Sequence, residues 1–169
     1  MLILITLFLF PALMSFAAST DLVTMTISNR ISLALLAGFF ALAVWTGMSL
    51  QDMLWHLFCG LSVLVITFSL FTFGWIGGGD AKLAAATGVW LGFANIVEYG
   101  TTASLLGGGL TLAIMYLRGI DMPPRLAGLE WLMRIHNKDN GVPYGIALAA
   151  AGLILYPQTA VWHAVAASL

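Results

Sequence analysis

Asp21 and Asp80 stand where a carboxylate is costly to keep. Asp80 closes the run Gly77-Gly78-Gly79-Asp80-Ala81-Lys82 between two apolar segments, and Asp21 stands at the end of another. Acids placed where a chain meets the bilayer are retained for chemistry, coupling or pairing. The glycines let the backbone turn tightly before Asp80 and leave room for another chain to approach. Two carboxylates that meet at a membrane surface can hydrolyse a peptide bond. The ionised one takes a proton from water as the water attacks the carbonyl, and the protonated one polarises that carbonyl. At close range the two acids share one proton. Water must reach such a pair, which suits a site near the membrane surface.

The surrounding chain is 61% hydrophobic and 8% charged. Soluble domains hold roughly 25% charged residues and about 45–50% apolar ones, so this is an integral membrane protein. With a net charge of −1 and no dense basic cluster, no nucleic-acid partner is expected. The single cysteine, Cys59, excludes an intramolecular disulfide, and without Cys-x-x-Cys pairs there is no thiolate zinc site. His56, His136 and His163 lack helical pair spacing and read as packing or interface residues rather than metal ligands. Neither a metal nor a cofactor is expected.

A helix needs about 20 apolar residues to cross the hydrocarbon core. Six segments qualify: 2–19, 31–48, 53–73, 81–97, 101–117 and 142–161. The expected fold is all-α, one polytopic membrane domain over 1–169 with about six transmembrane helices. A secretory signal peptide over 1–20 is the rival reading of the first segment. Phe16-Ala17-Ala18-Ser19 offers small residues for cleavage, but no Lys or Arg precedes the apolar run. Arg30, Arg118, Arg125, Arg134 and Lys138 fall in odd-numbered connectors and Lys82 at the glycine turn after the third segment, while the even-numbered connectors hold Asp52 and Glu98. The positive-inside rule then places the odd connectors, with Asp21 and Asp80, in the cytoplasm.

The long fifth connector, 118–141, has its own pattern. Pro123-Pro124 can open a helix, and Leu126, Leu129, Leu132, Met133 and His136 recur at roughly helical spacing, with Trp131 suited to headgroup level. A short cytoplasmic interfacial helix follows, ending near Asn137-Lys138-Asp139-Asn140-Gly141. It serves either as an interface anchor or as a platform for a substrate. Asp121, Glu130 and Asp139 lie there among basic neighbours as solvated charge, and Asp52 and Glu98 are on the other side. Elimination leaves Asp21 and Asp80. Each also has a plain structural reading: Asp80 as the N-cap of the next helix, Asp21 as an interface charge paired with Arg30. Gly107-Gly108-Gly109 reads as helix packing.

The string Gly77-Gly78-Gly79-Asp80-Ala81-Lys82-Leu83 resembles the Gly-x-Gly-Asp signature of type IV prepilin peptidases. Asp21-Leu22-Val23-Thr24-Met25-Thr26-Ile27-Ser28-Asn29-Arg30 is similar to that family's first-aspartate region, with Ser28 where an Ile-Pro-Asn turn has proline. Val142-Pro143-Tyr144-Gly145-Ile146-Ala147 resembles the opening of the last span in short members. The resemblance implies a compact peptidase of the tight-adherence (Flp) pilus type in the bacterial inner membrane. Such enzymes cut leaders from prepilins and pseudopilins at the cytoplasmic face. It also implies Asp21 and Asp80 as catalytic aspartates, supported by Gly77, Gly79 and Lys82. Longer members carry two Cys-x-x-Cys pairs linked to methylation of the product; this chain has none, so methyltransferase activity is not expected. Presenilin-like proteases share the signature but use Tyr-Asp and a later Pro-Ala-Leu. Pro11-Ala12-Leu13 precedes both acids here, and Thr20 rather than tyrosine precedes Asp21.

Two readings compete with the peptidase. A proton-coupled transporter could use the same acids as a relay, and a non-catalytic pilus-assembly subunit would keep the glycines for packing alone. The residues leave the oligomeric state open.

Overall fold

Lipid offers no partner for backbone N–H and C=O groups, so an apolar chain of this kind satisfies them within helices. The computed structural model describes residues 2–123, 125–126 and 128–166, with side chains from residue 7 onward. Its described residues form α1 (Leu2–Thr24), α2 (Asn29–Trp45), α3 (Leu50–Thr72), α4 (Gly78–Leu117), α5 (Glu130–His136), α6 (Gly145–Leu155) and α7 (Ala160–Ala166). A 3-10 turn over Tyr156–Gln158 joins the last two, and no strand occurs among these residues. Three helices are long and apolar enough to cross a membrane, Leu7–Thr24, Leu50–Thr72 and Gly78–Leu117; a fourth is added if Gly145–Gln158 and Ala160–Ala166, bent by 48°, count as one span.

The most consequential departure from the sequence expectation is in α4. Two spans separated near Glu98-Tyr99-Gly100 were expected, yet the helical assignment runs through that stretch and the break falls at Gly92, with φ 65° and ψ 179°. Asp80 and Ser104 nevertheless line one cavity, although a straight helix would hold them about 36 Å apart. The chain therefore doubles back, and α4 is two limbs, 78–91 and 93–117. Glu98 lies within the second limb and is no connector residue. His56 on α3 holds the break: its ring Nδ1 lies 2.7 Å from the Val89 carbonyl, an acceptor that the fourth residue onward would otherwise have occupied. A carbonyl only accepts, so Nδ1 carries the proton.

The first limb is buried almost all round, from Ala81 through Leu91 apart from Lys82, and the other helices are arranged about it. Trp90 anchors that arrangement. Its indole N–H donates to the Leu35 carbonyl of α2 at 2.9 Å. Its ring lies 4.9 Å from Phe10 of α1 and 5.9 Å from Tyr156. Aromatic pairs at such spacings add about 0.5–1.5 kcal/mol each beyond area burial.

Helix starts move inward relative to the expected connectors because side chains cap them. Asp52 sits in the first turn of α3, where its N–H donates to Ser49 Oγ at 3.1 Å and its carboxylate accepts the Ser49 hydroxyl at 2.6 Å. Ser28 caps α2 by accepting the Arg30 N–H at 3.3 Å, and its φ of −67° is the angle a proline would hold. The helix in the fifth connector begins at Glu130 rather than at Pro123-Pro124; Pro124 lies outside the described residues. Of the three glycines read as packing, Gly107 meets Tyr144, whereas Gly108 and Gly109 face open space.

At Gly92 an added Cβ would lie 2.9 Å from His56 Cε1 on a backbone with positive φ. Gly92→Ala should therefore destabilise the protein by about 1–3 kcal/mol, read as a lowered unfolding midpoint in detergent. Gly100→Ala, which meets nothing within 4 Å, is the control and should leave the midpoint in place.

Candidate active site

Asp21 lies in the last turn of α1, not beyond it. The helix continues past residue 19 because Thr20 and Thr24 return their hydroxyls to the carbonyls of Ala17 and Thr20. It ends with Met25 at φ 53°. Asp21 is 4% exposed, so its carboxylate must find partners inside the bundle. Its partner is the N–H of Gly145, at 2.8 Å, and no ion pair with Arg30 forms among the described residues. Gly145 is the first residue of α6, where the N–H has no acceptor within its own helix and the helix dipole favours an anion. A Cβ at position 145 would sit 2.8 Å from Asp21 Oδ2 and 2.6 Å from Ile27 Cδ1. Only glycine permits this approach.

Asp80 is the third residue of α4. Its carboxylate reaches back to accept the Gly77 N–H at 3.3 Å, the reciprocal half of a capping box. It does cap the helix, but from the first turn rather than from the N-cap position, which Gly77 occupies. Gly79 brings this turn against the loop between α1 and α2, since a Cβ there would meet Ile27 Cβ at 3.1 Å and the Ile27 backbone at 3.3 Å. Ile27 thus touches the glycine beside Asp80 and the glycine beside Asp21. In each acid Oδ2 is held by one backbone N–H, and Oδ1 makes no hydrogen bond among the described residues.

Asp21, Asp80, Gly77 and Gly79 are therefore brought to one end of the bundle. Lys82 is at the same end but turns away from the acids, and its ammonium donates to Asn29 Oδ1 at 2.8 Å. The fifth connector folds over this end. Arg134 donates to the Val23 carbonyl at the close of α1, and Arg118 donates to the carbonyls of Ile135, Asn140 and Gly141 at 2.8–2.9 Å. Asp121, Glu130 and Asp139 are exposed. Asp52 lines a separate cavity with His56 and His163 beside the Gly92 break.

Asp80 opens onto a cavity of about 410 Å³ between α3 and the two limbs of α4, whose polar wall includes Thr67, Tyr99 and Tyr144. The Tyr99 hydroxyl is buried beside Thr87. Sequence reading did not single out Ile27, Gly145 or Tyr99. The stretch Val142-Pro143-Tyr144-Gly145 was a visible landmark, but nothing in it announces contact with an acid near the other end of the chain. No group of three or more His, Cys, Asp or Glu side chains among the described residues is placed to hold a metal ion. Two carboxyls joined through so few atoms have the composition for moving a proton to and from water.

The model of the type IV leader peptidase family matches residues 8–112, more than half of the chain. That interval contains both acids and the glycine run. No curated protein and no solved structure matches.

The approach through Gly145 can be tested by chemistry at the two positions. In a Cys59→Ser background, Asp21→Cys with Asp80→Cys should join through a short bifunctional thiol reagent. Adding Gly145→Val should abolish the crosslink. Measured by peptide mass spectrometry, an unchanged yield in the valine variant would show that α6 does not set the spacing.

Proposed function

The chain belongs to the type IV leader peptidase family, and we propose that it acts as an aspartyl endopeptidase with Asp21 and Asp80 as its working pair. The observation that carries the proposal is the junction at Ile27. Ile27 meets both Gly79, next to Asp80, and Gly145, whose N–H holds Asp21, and each acid has one oxygen already held by an N–H, which supports pairing of the two carboxyls. Such a pair can hold one proton, with one member activating water and the other polarising the carbonyl. Asp80 supplies the side open to the cavity, while Asp21 is fixed from behind by α6.

The substrates in this proposal are prepilins and pseudopilins, cut in front of their hydrophobic helix at the cytoplasmic face of the bacterial inner membrane. Its topology has six crossings, with the two limbs of α4 as the fourth and fifth. The return of α4 at Gly92 supports this topology, because it brings Lys82 and Arg118 to the same end as Arg30 and Arg134. Basic residues gathered at one end mark the cytoplasmic side.

Asp21→Asn and Asp80→Asn should each accumulate in the membrane yet lose cleavage of a leader-bearing prepilin by about 10²–10⁴-fold, the usual worth of a positioned acid or base. Gel shift of the processed product measures this. Normal processing by either variant defeats the proposal. Proton-driven solute flux in proteoliposomes without any cleavage would instead favour a transporter.

A further inference from the structure

On the other side of α4 from the acid pair, α2 and α3 each pack against the first limb but leave a trough between them. It is about 400 Å³ in volume, with Ala86 in its floor and Leu36 and Leu61 in its walls. The trough is apolar along most of its length and polar at one end only. There Lys82 and Asn29 stand exposed at the rim, and Ser32 lies just inside, 7% exposed, with its hydroxyl buried and without a hydrogen-bond partner. A buried hydroxyl left this way costs about 1–3 kcal/mol unless something bonds to it. Asn29 takes one of the Lys82 N–H donors, and an ammonium carries three, so two remain with no carboxylate to meet them among the described residues.

The order along the trough is a cation, then a hydroxyl, then apolar wall, over the roughly 10 Å that separate the levels of Lys82 and Val89 on a helix. We propose that this trough holds a membrane phospholipid with an anionic headgroup. Its phosphate meets Lys82, its glycerol-ester region bonds Ser32, and an acyl chain lies over Ala86 between α2 and α3. The polar end is the end that carries Asn29 and the start of α4, where the chain leaves the hydrocarbon, so headgroup and rim are at the same depth. Charge complementarity selects the lipid class. Attraction of one lysine near a bilayer surface to an anionic headgroup shifts binding about fivefold. The proposal needs only a membrane protein and stands apart from the peptidase chemistry.

Native mass spectrometry of the full chain in mild detergent, titrated with phosphatidylglycerol or phosphatidylcholine of the same acyl length, tests it. Wild type should retain one phosphatidylglycerol per chain and prefer it over phosphatidylcholine by about fivefold. Lys82→Gln should lose the preference but keep weak binding of both lipids. Ala86→Leu, which fills the floor, should reduce retention of both, and Lys138→Gln should behave as wild type. Equal preference in wild type and Lys82→Gln overturns the proposal. So does a trough closed by a second copy, seen as a Leu36→Cys dimer with no lipid bound, or a lipid displaced by the apolar segment of a prepilin. Lipid is counted here without any cleavage, so its failure and that of the peptidase proposal are read separately.

Discussion

One buried carboxylate governs this architecture. Asp21 is sealed within an apolar bundle, where an unsatisfied anion would be far more costly than the stability of the fold can bear. The donor that satisfies it is an N–H at the very start of α6, one that its own helix cannot use. Two helices from opposite ends of the chain must therefore pack alongside each other, with the close of α1 beside the start of α6. Residue 145 must lack a side chain for them to do so, and Ile27 must fill the space beside them. The second acid then reaches the same place because Gly79 allows the start of α4 to lie on Ile27. Position here follows from electrostatic necessity and close packing together.

The opposite end of the bundle is governed by the reversal of α4. A glycine with positive φ frees a carbonyl at the break, and His56 takes it up. Trp90, two residues earlier, ties the same place to α2 through its indole N–H and to α1 through Phe10. The first limb, about 21 Å long, is surrounded by protein on nearly every side. It serves as the post around which membrane-compatible helices stand, which explains why Ala and Gly make up so much of its surface.

Much of this was legible in one dimension. Apolar runs and scarce charge announce helices in lipid, and the glycine run before Asp80 announces a turn with an acid at a helix start. The break in α4 was misplaced because Glu98 and Gly100 look like a turn, whereas Gly92 sits in the apolar run Val89-Trp90-Leu91-Gly92-Phe93. Only the histidine from another helix makes the break viable there. α1 runs beyond the expected end at residue 19 because the hydroxyls of Ser19, Thr20 and Thr24 bond back along the helix. Gly145 lies in a recognisable stretch of sequence, but its contact spans 124 positions, and no local pattern encodes that distance. Ser28 stands where the resembled turn has proline, and its backbone angle and side-chain cap hold the start of α2.

The two acids differ in how they meet their surroundings. Asp80 forms part of a cavity wall, and Asp21 is backed by α6 and all but sealed. This end of the bundle consequently has a front and a rear: residue 80 borders the space between α3 and the returning limb, and residue 21 does not. Directionality of this sort comes from the scaffold, since nothing in two identical side chains would otherwise tell one from the other.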